Sequence, residues 1–273
     1  MPQVKVEVAL SNPPPTHPAQ VPVLRIRFSA SASPDDDVRR QFGEPFPAYA
    51  IAESPNSAAA TPADLEVASG ALPGGAASWM SAGDDIDASS PTIAVKLERA
   101  RIHWRPSRAV VEAPPDVAPG LIDALLEFAY LEGELRRLEA ALAPLERGAQ
   151  ADIPLAFRVK RRHHRHWQRL LRTMETLAGL RLTFARLEPR FGGAPRMLPP
   201  DARRLFSRLL VKSGVEERLE ALNDRLEACE DLYEGAVDRI TDFRWYSKGT
   251  LLEVAIVALL ALEIALIVYE CFG

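Results

Sequence analysis

From Leu121 onward, apolar residues return at every third or fourth position. Leu121, Leu125, Phe128, Leu131, Leu135, Leu138 and Leu142 fall on one face, which predicts an amphipathic helix of about 25 residues. Pro119 suits its first turn, where a fixed φ is helical and the missing N–H is not needed. A second helical stretch runs from about Arg158 to Leu187, with Trp167, Leu170, Leu171, Met174, Leu177 and Leu180 on its buried side, and stops near Pro189 and Gly192-Gly193. The pattern resumes at Asp201. Val215, Leu219, Leu222, Leu226, Cys229, Tyr233, Ala236, Ile240 and Phe243 then alternate spacings of four and three without a break, a coiled-coil seam that packs on a partner helix in this chain or in another copy.

The last segment has a different pattern. Leu251 to Tyr269 reads LLEVAIVALLALEIALIVY, and only Glu253 and Glu263 interrupt it. At 1.5 Å per residue, a helix of about 20 residues crosses a hydrocarbon core of roughly 30 Å, so Leu251, Leu252 and Tyr269 bound a predicted transmembrane helix. Arg239, Arg244 and Lys248 precede it, Trp245 and Tyr246 sit where an interfacial aromatic belt would, and no Lys or Arg follows it. The positive-inside rule then leaves the N-terminal part on the cytoplasmic or matrix side. Glu263 falls near mid-span, where a carboxylate is neutral, paired, or turned to a protein interface or an ion path. Glu253 lies near the edge, within reach of headgroups or Lys248.

The first third alternates with period two in Val4–Val8, Val23–Phe28 and Thr92–Leu97, and a short run from Arg108 to Val111 joins them. Between these lie Pro13-Pro14-Pro15, Asp35-Asp36-Asp37 and an Ala-, Ser-, Gly- and Pro-rich stretch from Ser54 to Ser90, expected to bury too little apolar area to order fully. Of the 23 prolines, 17 lie in residues 1–119, which excludes a mainly helical start. The predicted fold is α+β. A small strand-containing domain with long, partly disordered loops occupies residues 1–116, a helical coiled-coil domain 117–248, and a C-terminal transmembrane anchor 249–273.

Charge sharpens this picture. Residues 153–212 carry 15 Lys or Arg against 3 acids, and 213–248 carry 5 against 10. Arg158, Lys160, Arg161, Arg162, Arg165 and Arg169 make a basic cluster that attracts phosphate, as anionic lipid headgroups or as RNA on a ribosome, unless it is a solvated face or is neutralised by the acidic helix of the same molecule. His163 and His166 share a helix face there, but no Cys, Asp or Glu at ligand spacing completes a metal site, so neither metal nor cofactor is expected. Cys229 and Cys271 are too few for a disulfide scaffold. The opening MPQVKVEV lacks the basic flank and apolar run of a secretory signal. No Gly-rich phosphate loop, nucleophile elbow or His-Glu-x-x-His is present, and Asp35-Asp36 and Asp84-Asp85 read as solvating charge. A catalytic activity is not expected.

The succession of Arg218, then Leu222-Asn223 with Arg225 and Leu226, then Leu252-Glu253 opening an apolar run that carries Glu263, resembles the C-terminal signature of the "required for meiotic nuclear division" family. Upstream, Phe128 to Glu146 and Leu170 to Leu182 are similar to that family's paired helices, so the resemblance covers residues 119–273 and leaves the N-terminal strands outside it. It implies a membrane-anchored protein with no established catalytic site, whose eukaryotic members include mitochondrial inner-membrane proteins that assemble into large complexes and support organellar translation. The expected function is therefore a self-associating scaffold held in a bacterial or mitochondrial inner membrane, a homo-oligomer joined through the seam of Val215, Leu219, Leu222, Leu226, Tyr233 and Ile240. Two alternatives stay open: an oligomeric ion-conducting assembly that uses Glu263, and a membrane tether for RNA or ribosomes.

Overall fold

The computed structural model describes residues 23–33, 36–42, 48–53, 65–70, 76, 80, 91–157 and 166–272, with backbone alone at 53, 244, 247, 248, 251 and 265–272. The expected strand at Val4–Val8 and the acidic doublet Asp84-Asp85 lie outside these residues.

Seven strands form one sheet: β1 (Val23–Ser29), β2 (Asp37–Phe42), β3 (Ala48–Glu53), β4 (Leu65–Ser69), β5 (Ile93–Lys96), β6 (Arg101–Arg105) and β7 (Arg108–Glu112). Their order is β2-β3-β1-β4-β7-β6-β5, antiparallel at every contact except the parallel pair β4–β7. That pair joins two antiparallel halves, and its register sets Val67 beside Ala109 and Ala68 beside Val110. All four side chains are fully buried, as inner parallel strands require. On one face Ile26, Leu65, Val67, Ala109, Val111, Ile102 and Trp104 continue the core across the sheet. On the other, Met80 and Ala76 cover Ala68 and Val110, and Arg105 Nη1 donates to the Met80 carbonyl at 2.9 Å.

The strands expected at Val23–Phe28, Thr92–Leu97 and Arg108–Val111 are β1, β5 and β7. Four others were not expected, and one corrects the reading of residues 54–90 as low-complexity loop: β4 lies within that stretch. Its five residues, Leu65-Glu66-Val67-Ala68-Ser69, are too few to establish a period and sit among Ala, Ser and Pro.

Four helices complete the described chain: α1 (Ala118–Phe157), α2 (Trp167–Phe191), α3 (Pro200–Lys212) and α4 (Val215–Phe272). The chain divides into two compact units, one of residues 1–126 with 199–205 and one of 127–198 with 206–273, so that one boundary cuts through α1, another through α3, and the third falls just before α3. In the first unit, burial raises the pKa of Asp123 against the opposing pull of Arg40. In the second, Phe128 and Phe206 meet edge to face at 5.9 Å.

The expected helix of about 25 residues is in fact one of 40, and it runs through both Pro144 and Pro154. Each proline removes a backbone donor and crowds the preceding turn, at about 3 kcal/mol. Burial of Leu142, Ala149 and Leu155 on either side holds the helix together across them. α3 and α4 are separated by Gly214, whose φ of +61° is left-handed; a Cβ there would meet Glu217 Oε2 at 2.7 Å. Among the described residues no helix is long and apolar enough to cross a membrane.

Candidate functional site

The second unit is held by charge pairs that repeat every seven residues. Glu132, Glu139 and Glu146 recur at that spacing on α1, and so do Arg218 and Arg225 on α4. Arg218 donates through Nε and Nη2 to the two carboxylate oxygens of Glu139 at 3.0 and 2.8 Å, and through Nη1 to Glu132 Oε1 at 2.7 Å. One heptad further on, Arg225 Nε and Nη2 grip both oxygens of Glu146 at 2.6 Å. Such forked contacts fix direction as well as distance. Partner numbers rise together, so α1 and α4 run parallel and in register. The pairing shows in the proton affinities. Burial works against the Arg218 charge, but the hydrogen bonds and charges of Glu139 and Glu132 outweigh it and hold its proton more tightly than usual. The Arg225 hydrogen bond holds the Glu146 carboxyl below its ordinary value against a weaker push from burial.

α2 runs the other way. Arg190 Nη2 reaches Glu127 Oε1 at 2.6 Å, and Arg169 Nη2 reaches Asp152 Oδ1 at 2.5 Å. Glu127, Glu132 and Asp152 are buried carboxylates on α1, and a buried charge is tolerated when a cation and hydrogen bonds satisfy it; Arg136 and Arg218 both reach Glu132 Oε1, while its Oε2 is buried without a hydrogen bond. Tyr233 on α4 donates to Asp152 Oδ2 at 3.4 Å, and burial followed by the Asp152 charge pushes its phenol up to about 12. Arg181 of α2 donates to Asn223 Oδ1 at 2.6 Å and lies 3.5 Å from Glu230. Of the motif at Arg218, Leu222, Asn223 and Arg225, the three polar side chains therefore fasten α4 to α1 or α2, and Leu222 is buried.

Val215, Leu219, Leu222, Leu226, Tyr233 and Ile240 are all buried within one copy. Of the two partners open to the seam, the chain uses its own α1 and α2. This corrects the expectation that the seam joins copies. The heptad carboxylates of α1 escaped the sequence reading because it followed apolar positions alone; Glu132, Glu139, Glu146, Arg218 and Arg225 at matched spacing were the available signal.

Beyond Ile240 the burial of α4 ends, although the helix continues to Phe272. Trp245 and Tyr246 are 73% and 79% exposed, and every described side chain from Leu252 to Ile264 is exposed, Glu253 and Glu263 among them. Backbone alone is described at Leu251 and Tyr269. Of the basic cluster, Arg158, Lys160, Arg161, Arg162 and Arg165 lie outside the described residues, as does His163; Arg169 is the one described, paired to Asp152. Among the described residues no three His, Cys, Asp or Glu side chains gather as a metal site would need.

The fold and these contacts define an α+β protein whose seven-stranded mixed sheet is followed by a charge-laddered helical unit. No protein-family model matches the chain. No curated protein is significantly similar to it.

Proposed function

We propose that the chain is a non-catalytic membrane tether, with α4 as both the spine of its helical unit and its anchor. The observation that carries this reading is the change along a single unbroken helix: α4 is packed into the unit as far as Ile240 and then presents apolar side chains on all sides from Leu252 to Ile264. A soluble monomer rarely exposes so large a contiguous apolar surface. In this reading the run Leu251–Tyr269 spans an inner membrane, with the N-terminal part on the cytoplasmic or matrix side. The resemblance to the meiotic nuclear division family supports it through the same residues, Glu253 and Glu263 included.

The parallel course of α1 and α4 adds a second element. Phe157 and His166, which flank the basic segment 158–165, belong to the end of the unit toward which α4 runs on to Leu251. About 11 residues of α4, roughly 16 Å of helix, separate Ile240 from that run. In this reading the cationic residues Arg158, Lys160, Arg161, Arg162 and Arg165, which follow Phe157 in the chain, take anionic headgroups as their partner. Because the seam is occupied within the chain, self-association falls to the span, where Glu263 gains a hydrogen-bond partner across an interface between copies.

Alkaline-carbonate extraction of the full chain beside a truncation ending at Ser247 tests the reading. The full chain should stay in the membrane pellet and the truncation should not; release of both would overturn it.

A further inference from the structure

Opposite its buried seam, α4 carries a second regular row. Glu220, Asp224, Glu227, Asp231, Glu234 and Asp238 alternate spacings of four and three, all are exposed, and none has a cation in ion-pair contact among the described residues. Glu230, which pairs with Arg181, sits beside the row and not in it. Like charges three and four apart on a helix repel, so this face destabilises the helix that bears it unless something positive covers it.

Arg181 contacts Asn223 and Glu230, which fixes the side on which α2 lies against α4. On the flank of α2 next to that contact and away from α1, an apolar row follows the same spacing: Leu171, Met174, Ala178, Leu182 and Ala185. Leu171 and Met174 are half-buried, Ala178 and Ala185 are exposed, and Leu182 is 54% exposed. One shallow groove thus has an apolar wall from α2 and an acidic wall from α4, about 20 Å long at 1.5 Å per residue.

We infer that this groove docks an amphipathic helix of a partner protein, with apolar residues on one face and Lys or Arg along its flank. Charge complementarity selects the occupant. The same face of a second copy would set carboxylates against carboxylates, so two-fold pairing is disfavoured. Anionic lipid and nucleic acid carry the wrong sign. An apolar wall beside an acidic one matches the helix-in-groove mode, where side chains at threes and fours fill the groove and the charged edge sets orientation.

The test uses the full chain in neutral-lipid nanodiscs and a labelled helical peptide of about 18 residues, with Leu at three-four spacing and Lys beside it. Fluorescence anisotropy should show saturable binding absent from empty nanodiscs, and a peptide of the same composition with scrambled spacing should bind at least about tenfold more weakly. The triple variant Glu227→Gln, Asp231→Asn, Glu234→Gln should weaken binding by a similar factor and flatten its salt dependence. Leu182→Asp should weaken it too, while thermal unfolding stays unchanged because the side chain is exposed. Equal binding of the scrambled peptide, or no effect of either variant, would overturn the inference. So would disulfide cross-linking of two chains through Leu182→Cys, which would make a second copy the occupant. The inference itself does not rest on α4 spanning the bilayer, since every groove residue precedes Ile240; the same titration on the full chain in detergent solution separates failure of the groove from failure of the anchor.

Discussion

Arg225 shows how one side chain can set the direction of a helix. Its fork on Glu146 repeats, seven residues on, the grip of Arg218 on Glu139, and together they leave α4 one register against α1. The pair also makes stability depend on acid. Glu146 is held below its ordinary value of 4.5, so its contribution is complete above that pH and is lost as pH falls through the lower folded-state value. Both partners are partly exposed, so the effect is modest. Thermal unfolding followed by circular dichroism should show a midpoint that falls as the medium is acidified through this range. In Arg225→Met the part due to Glu146 should vanish and the acid slope should be shallower. An unchanged slope would mean that the fork contributes nothing.

At the scale of elements, sequence periodicity read the helices better than the strands. Leu121 to Leu142 and Val215 to Ile240 proved to be buried helix faces, because three-four spacing survives whatever the helix packs against; of the second stretch Leu170 and Leu177 are buried, whereas Trp167, Leu171, Met174 and Leu180 are half-buried. The 40-residue length of α1 was not legible, since Pro144 and Pro154 signal an end that packing overrides. Half-buried β1 and β5 alternated visibly; β7, buried on both faces, was legible only as a short apolar run, five-residue β4 was too short to show a period, and Ala-rich β3 has little contrast to show. Of the candidate site, the apolar run and the motif positions were visible in the sequence. The α1 carboxylates that receive the arginines were not, because a solvated helix face also carries Glu at regular spacing. The direction of the seam separates two helix faces by experiment. Leu226→Ala should cost about 2–5 kcal/mol in denaturant unfolding, as for a fully buried leucine, whereas Leu182→Ala on the outer face should cost well under 1 kcal/mol. Near-equal losses would contradict the assignment of Leu226 to the interior.

Across the whole molecule, one helix changes role along its length. Up to Ile240 α4 is the member that both α1 and α2 pack on, from Trp245 it carries exposed aromatics, and from Leu252 to Ile264 its exposed side chains are apolar apart from Glu253 and Glu263. In the proposed reading this helix couples the folded unit to a bilayer without a hinge, and the acidic row along its outer face is kept for a cationic partner. The most direct measurement places a nitroxide at Leu259→Cys, in a full chain lacking Cys229 and Cys271 and reconstituted in liposomes, and compares its collision rates with oxygen and with a water-soluble nickel complex. The account predicts high oxygen and low nickel accessibility, the signature of a side chain in hydrocarbon. High nickel accessibility at Leu259 would contradict it, and would make the end of α4 a surface for protein rather than for lipid.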